Sequence, residues 1–341
     1  MTPSNAADVP FANHAHELLQ AHESMLGDRR RNRAFYRALQ KRVNGDSCVL
    51  DIGAGTGIWA IAAAQLGARK VLAIERDPLL IGLIKGLAYA NHLADRIEVV
   101  QGDSRQLSVA REFNLLVTET IGNIGFEEQI VSVILDARKR FLQTDAVVIP
   151  ESISLMVAGA QIKTARQKLP ADVPLDYAEF TALTIHSPVE LRRNVRFRIR
   201  SEPRELIRTD LASIQALPDL TRLTARWEPL DVSQTNCFAV WVVIRLTEGV
   251  QLSTLTTTSW TPVFYRIEPF EQSRGRLEFT LTLTPETNYW NVTLSGDQRQ
   301  EAQCYSPAFA AAELTARGCT EPQTFSQLKG LGLLSRQVPH H

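Results

Sequence analysis

Apolar and polar positions follow one rhythm up to Pro150 and another after it. In the first part, short apolar runs at 48–52, 71–74, 97–100, 113–117 and 146–149 read as buried strands. Between them, apolar residues recur every three or four positions. Leu18, Leu19, Ala21 and Met25 mark one face of a helix over 14–26, and a basic helix over 29–43 leads into the first strand. Further helices are predicted over 58–66, from Pro78 to about His92 with Asp77 as cap, and through Ile130, Val131, Ile134, Ala137 and Phe141. Strands alternating with helices predict an α/β, Rossmann-like doubly wound sheet whose ligands gather at the strands' carboxyl ends. Asp51, Glu75, Asp103 and Glu119 all fall at such ends.

After Pro150 the period drops to two, in Ile153, Leu155 and Val157 and again in Leu277, Phe279, Leu281 and Leu283, with apolar runs at 238–246 and 263–267. This predicts a mostly antiparallel second half closing, or nearly closing, into a barrel. A polar, proline-bearing stretch over 162–213 interrupts it and reads as a loop, an insertion or an arm reaching another subunit. The tail is Ala-rich to Leu314, consistent with one short helix. The expected organisation is N-terminal helices over 1–45, a nucleotide-type domain over 46–150, a β-barrel domain over 151–305 and a tail over 306–341.

Length and charge narrow the function. At 341 residues two domains are expected. Lys plus Arg and Asp plus Glu number 37 each, so no overall field draws the chain to nucleic acid or an anionic membrane. Cys48, Cys237, Cys304 and Cys319 lack metal-ligand spacing and read as free thiols in a reducing compartment, with no metal site. No stretch has the pattern of a leader or a membrane span, so a soluble, cytoplasmic protein is expected. Arg29 and Arg30 read as a solvated face.

The candidate chemistry starts at Gly53, Gly55 and Gly57, which allow a tight turn that a ligand can approach closely. Glu75 follows about twenty residues later at the end of the next strand, where an acid accepts hydrogen bonds from ribose hydroxyls. The spacing Asp51-x-Gly53-x-Gly55-x-Gly57 is not the dinucleotide fingerprint. A carboxylate ahead of the first glycine suits a ligand with an amino group and a sulfonium. S-adenosylmethionine is therefore favoured over NAD, and a glycine turn without a ligand comes last. Asp103 and Ser104 are placed to line the adenine.

After the fourth strand, Glu119 and Glu128 stand nine positions apart around Gly122 and Gly125. If the loop folds back, the two carboxylates match a guanidinium, with its planar, paired N–H donors. The bland alternative is a capping Glu119 and a Glu128 in the solvated first turn of the next helix.

With these two segments the chain resembles the protein arginine methyltransferases. Residues 49–57 are similar to that family's glycine motif, Glu75 to its ribose acid, and Glu119 and Glu128 to its double-glutamate loop. The preceding helix is similar as well, reading His22-Glu23-Ser24-Met25-Leu26-Gly27-Asp28-Arg29-Arg30-Arg31 against H-E-x-M-L-x-D-x-x-R. The resemblance implies that Arg31 holds the cofactor carboxylate, that His22 sits near the cofactor, and that Met25 and Trp260 line the acceptor pocket. It also implies a dimerisation arm inserted in the barrel, over 162–213, and a homodimer.

Three departures stand out. Ser259 replaces the histidine of the family's T-H-W loop, which leaves Asp28 without that partner. Ala12 and His16 stand where the family has paired tyrosines, and Arg105 where it has a glutamate. The expected function is an S-adenosylmethionine-dependent N-methyltransferase acting on the guanidino group of arginine, protein-bound or free. The alternatives are a methyltransferase for another small guanidine or amine, and a non-catalytic cofactor-binding scaffold.

Overall fold

The computed structural model describes residues 8–108, 110–163, 184–190, 196–284, 288–297 and 299–306. Its first part runs α1 (Asp8–Gly27), α2 (Arg29–Arg42), β1 (Cys48–Ile52), α3 (Ile58–Gln65), β2 (Lys70–Glu75), α4 (Pro78–Ala90), β3 (Ile97–Gln101), β4 (Phe113–Thr118), α5 (Ile130–Arg140) and β5 (Leu142–Ile149). The strands form one parallel sheet in the order β3-β2-β1-β4-β5. The order reverses beside β1, which opens a crevice at the carboxyl ends of β1 and β4.

Every predicted strand and helix of this region is present, with ends shifted by a few residues. The largest differences are in α1, which begins at Asp8 rather than His14, and in β5, which begins at Leu142 rather than Ala146. In β5 the residues Gln143, Thr144 and Asp145 are exposed and fall in a break of register between Leu142, opposite Phe113, and Val147, opposite Leu115, so they lengthen the strand without lengthening the apolar run. Local chemistry sets the helix starts. Asp77 accepts the Leu79 N–H at 2.8 Å and Pro78 takes the first turn of α4, where its missing N–H costs nothing. Asp28 caps α2 through the Arg31 N–H at 3.1 Å.

The chain divides into two compact units, one of residues 1–155, 208–218 and 241–262, the other of 156–207, 219–240 and 263 onward. In the first, residues 243–247 pair antiparallel with Val250–Ser253 beside the parallel sheet's own core. In the second, Leu223–Asp231, Arg274–Leu283, Asn288–Ser295 and Gln300–Tyr305 form a four-stranded sheet with neighbouring strands antiparallel. Its core is aromatic, with Phe238 stacked on Phe279 at 4.7 Å and Trp290 on Tyr305 at 5.3 Å. The expected alternation holds, since Leu277, Phe279 and Leu281 are fully buried. The strands after Pro150 belong to two hydrogen-bonded sheets, of four and seven strands. Much of the expected arm, 164–183 and 191–195, and the expected helix before Leu314 lie outside the described residues. Among the described residues no helix is long and apolar enough to cross a membrane.

Candidate active site

A cavity of about 450 Å³ opens at the carboxyl ends of β1 to β4. Its lining includes His22, Met25, Arg31, Gly53, Gly55, Glu75, Asp103, Ser104, Glu119, Glu128 and Trp260, so eleven of the twelve residues singled out in the sequence meet at one place. The twelfth, Asp51, lies behind the lining.

The glycine turn needs bare backbone. Gly53 and Gly55 have φ of 70° and 57°, and a Cβ on Gly55 would stand 2.8 Å from His22 Cε1. His22 thus packs on the turn, and burial lowers its pKa, an effect the nearby Glu75 opposes. Glu75 Oε2 accepts the Gly55 N–H at 2.8 Å, while Oε1 accepts those of Arg76 and Asp77 at 2.7 and 3.0 Å. A carboxylate has about four acceptor positions, so Glu75 is held in place with one to spare for a hydroxyl. Asp51 is 1% exposed and neither of its oxygens has a hydrogen-bond partner among the described residues. Burial pushes its carboxyl up to about 7, the Ala60 amide opposing and the charge of Glu75 adding. At the far side, Asp103 is held down to about 2 by its hydrogen bonds to Arg105. This end of the cavity, with a bare glycine turn, an oriented acid and a polar pair beyond it, fits a nucleoside such as that of S-adenosylmethionine.

The other end is built around a cation. Arg31 is buried, its Nη2 is paired with Glu119, and its Nη1 donates to Asn32 Oδ1 at 3.0 Å. Its guanidinium carbon lies 5.4 Å from the Trp260 ring centre, 5.7 Å from Trp59 and 6.0 Å from Phe35. Burial lowers its pKa to about 10, against the charges of Asp28 and Glu128. Glu128 stands at the mouth of the cavity; crowding by protein raises its pKa, which Arg31 and Arg76 partly offset.

The loop carrying both acids is pinned from within and from outside. Glu127 Oε2 accepts the Ile124 N–H at 2.9 Å, and Asn123 Oδ1 accepts the Thr261 N–H at 2.9 Å next to Trp260. Asp28 corrects the expectation of a carboxylate left without its partner. Its Oδ2 accepts the Thr258 N–H at 2.8 Å and both the N–H and the hydroxyl of Ser259 at 2.9 Å. Two loop amides and a short hydroxyl hold this carboxylate, and they anchor the loop that presents Trp260. Burial alone would raise the Asp28 pKa; these bonds bring it below the usual carboxylate value.

Sequence reasoning missed Phe35, Trp59, Asn123 and the link from Arg105 to Gln129. Phe35 and Trp59 look like ordinary helix-face residues. The others act through partners that no local pattern announces.

A family model described as ribosomal protein L11 methyltransferase (PrmA) matches residues 33–150, the part that carries the glycine turn. An arginine N(omega)-methyltransferase of Streptomyces achromogenes subsp. streptozoticus is 31% identical over 244 residues, 68% of this chain and 66% of that protein. Protein arginine N-methyltransferase PRMT10 of Oryza sativa subsp. japonica is 32% identical over 166 residues, 48% of this chain and 43% of that protein. The chain thus spans between about two fifths and two thirds of the length of these relatives. The fold matches the solved Arabidopsis thaliana protein arginine methyltransferase 10, with a TM-score of 0.67 and 20% identity over 83% of this chain and 96% of that one. It likewise matches a Trypanosoma brucei PRMT1 enzyme-prozyme heterotetrameric complex with AdoHcy, with a TM-score of 0.69 and 19% identity over the same shares.

Proposed function

Because the chain belongs to the arginine N-methyltransferase family, we propose that it methylates a guanidino nitrogen of arginine, free or within a polypeptide, using S-adenosylmethionine. The observation that carries this reading is the Arg31–Glu119 pair. One of the two candidate acids already holds a guanidinium, among aromatic rings, in the cavity whose other end fits a nucleoside.

S-adenosylmethionine supplies an electrophilic methyl group; the residues around the cavity bind, orient and discharge the acceptor. Glu119 and Glu128 accept N–H bonds from the guanidinium and draw its positive charge away from the nitrogen to be methylated. Charge-assisted bonds of this kind are worth about 1.5–3 kcal/mol each. The methylated nitrogen would exchange one N–H bond for an N–C bond as the donor's S–C bond breaks to leave a neutral thioether, and one proton must leave that nitrogen. Glu128, at the cavity mouth and with its pKa raised, is the group suited to take it. Trp260 offers a ring face to a cation, and Asp28 fixes the loop that holds it. Arg31, which the family resemblance assigns to the cofactor carboxylate, would then serve two carboxylates by turns. The assembly proposed is a homodimer through 162–213, checked by light scattering at micromolar concentration; a monomer mass with activity retained would remove it.

The test of the activity is incubation with methyl-labelled S-adenosylmethionine and, in parallel, free arginine, arginine-containing peptides, other small guanidines, and lysine or α-amine peptides. Label on a guanidino nitrogen is expected. Label confined to amines, or bound cofactor with no transfer to any acceptor, would overturn the reading.

A further inference from the structure

We infer that Arg105 is a positioning residue that straps the double-acid loop to the turn after β3 and so sets where Glu128 stands. This rests on the reading of Glu128 as an acceptor-binding acid. Arg105 lies in a short 3-10 turn, Ser104–Gln106, and its own N–H is accepted by Asp103 Oδ1 at 3.0 Å. Its side chain then folds back on the same acid, Nε donating to Asp103 Oδ1 at 2.9 Å and Nη2 to Oδ2 at 2.6 Å. Two parallel bonds fix the plane of the guanidinium. They leave Nη1 directed at Gln129 Oε1, which accepts at 2.7 Å.

Gln129 directly follows Glu128, and it is an unusual residue. Its backbone sits in the left-handed region, φ 62° and ψ 27°, which a side chain other than glycine seldom adopts. It also stands at the N-cap of α5 yet gives that helix no side-chain cap bond. Both features are unfavourable taken locally. The contact with Arg105 accounts for both, since it draws the side chain away from the helix end and holds the backbone where the loop turns Glu128 into the cavity. A second tie reinforces the first. Arg140, in the last turn of α5, donates to the Ser104 carbonyl at 2.6 Å and also to that of Leu107. The turn that lines the nucleoside side is thus fastened to both ends of α5. Any ligand that orders Asp103 and Ser104 also orders Glu128, and by reciprocity a bound acceptor strengthens cofactor binding.

The test combines acceptor kinetics with AdoHcy binding by calorimetry, with and without acceptor. Arg105→Ala and Gln129→Ala should each lower kcat/KM for the acceptor by about tenfold, and in Gln129→Ala, which leaves the Asp103–Arg105 pair in place, AdoHcy affinity alone should change less than about threefold. The gain in AdoHcy affinity on adding acceptor should vanish in both. The double variant should be no worse than either single one. Arg105→Lys should not rescue, because one ammonium cannot make both the paired contact with Asp103 and the reach to Gln129. Gln129→Gly placed in the Arg105→Ala background should recover part of the loss, because glycine takes the positive φ freely. Additive effects, or no recovery with glycine in a protein that melts normally, would overturn the strap. So would loss of AdoHcy affinity with acceptor kinetics unchanged. A wild-type protein that methylates no guanidine would instead remove the reading on which the strap rests.

Discussion

The nucleoside end of the cavity is made from neighbours. Glu75 is oriented by Arg76 and Asp77, the next two residues in the chain, and by Gly55 twenty residues back, and Asp103 is neutralised by Arg105 two residues on. The acceptor end is made from strangers. Arg31 meets Glu119 from another element, Asp28 meets Ser259 across 231 positions, and Asn123 meets Thr261 across 138. A site of the first kind needs only β1, β2 and β3 with the turns at their ends. The second exists only when the whole unit has folded, and there a single substitution touches stability and chemistry together.

The largest effect that separates the two ends should come from Glu119. Glu119→Gln removes the charge opposite a buried Arg31, and breaking one side of a buried pair costs about 3–5 kcal/mol. Turnover should fall by orders of magnitude and the melting temperature should fall with it. Glu128→Gln should cost a similar share of turnover while leaving the melting temperature nearly unchanged, because Glu128 sits at the mouth. Thermal melts beside rate measurements decide this. Equal destabilisation by both would mean that the acids share one structural role.

Asp51 tests the nucleoside end by pH. Its carboxyl titrates near 7 in the folded protein and near 3.8 unfolded, so between these values the folded state holds the extra proton. The contribution is complete below about pH 4 and is lost as pH rises through about 7. It amounts to something on the order of 4 kcal/mol. Asp51→Asn should flatten this component, making the variant relatively more stable than wild type at pH 8 than at pH 4. Parallel urea titrations across that window would show it. A constant difference between the two proteins would mean that Asp51 has found a partner for its charge.

Ser259→Ala should have a smaller effect. It removes one of the donors on Asp28 and leaves the loop amides, costing about 1.5 kcal/mol as a single bond to a charged group. A lowered melting temperature with turnover reduced only a few-fold is the expected pair of readings. Loss of all turnover would promote Ser259 from anchor to direct participant.

What was legible in the sequence divides along the same line. The runs at β1, β2 and β4 read correctly because parallel strands buried on both faces are nearly continuous apolar segments, and α4 because Asp77 and Pro78 announce a helix by local chemistry. The glycine turn was legible for a similar reason, its backbone conformation being written in residues 53, 55 and 57 themselves. Asp28 was misread because two of its partners are loop amides, which have no residue type to recognise, and the third is a serine hydroxyl 231 positions away; Arg105–Gln129 was missed because the contact spans 24 positions and Gln129 has a positive φ that its residue type does not announce. The extended start of β5 was hidden by exposed polar residues at a break in its register.

The smallest expected effect sharpens the acceptor end by sparing it. Glu127 is adjacent to Glu128 in sequence, yet its Oε2 accepts the Ile124 N–H and its carboxylate lies against Gly122, so it shapes the loop and leaves the acceptor to Glu119 and Glu128. Glu127→Gln keeps an oxygen for that amide and gives up only the charge, which at an exposed position should change turnover by less than about twofold and stability by no more than surface changes usually do. Glu127→Ala removes the acceptor oxygen altogether and should loosen the loop, lowering turnover several-fold while AdoHcy affinity holds. The ordering of the two variants is the informative quantity, since it separates the shape of the side chain from its charge. Turnover that fell as far with Glu127→Gln as with Glu128→Gln would shift the pairing of acids by one residue and move the guanidinium contact from Glu128 to Glu127.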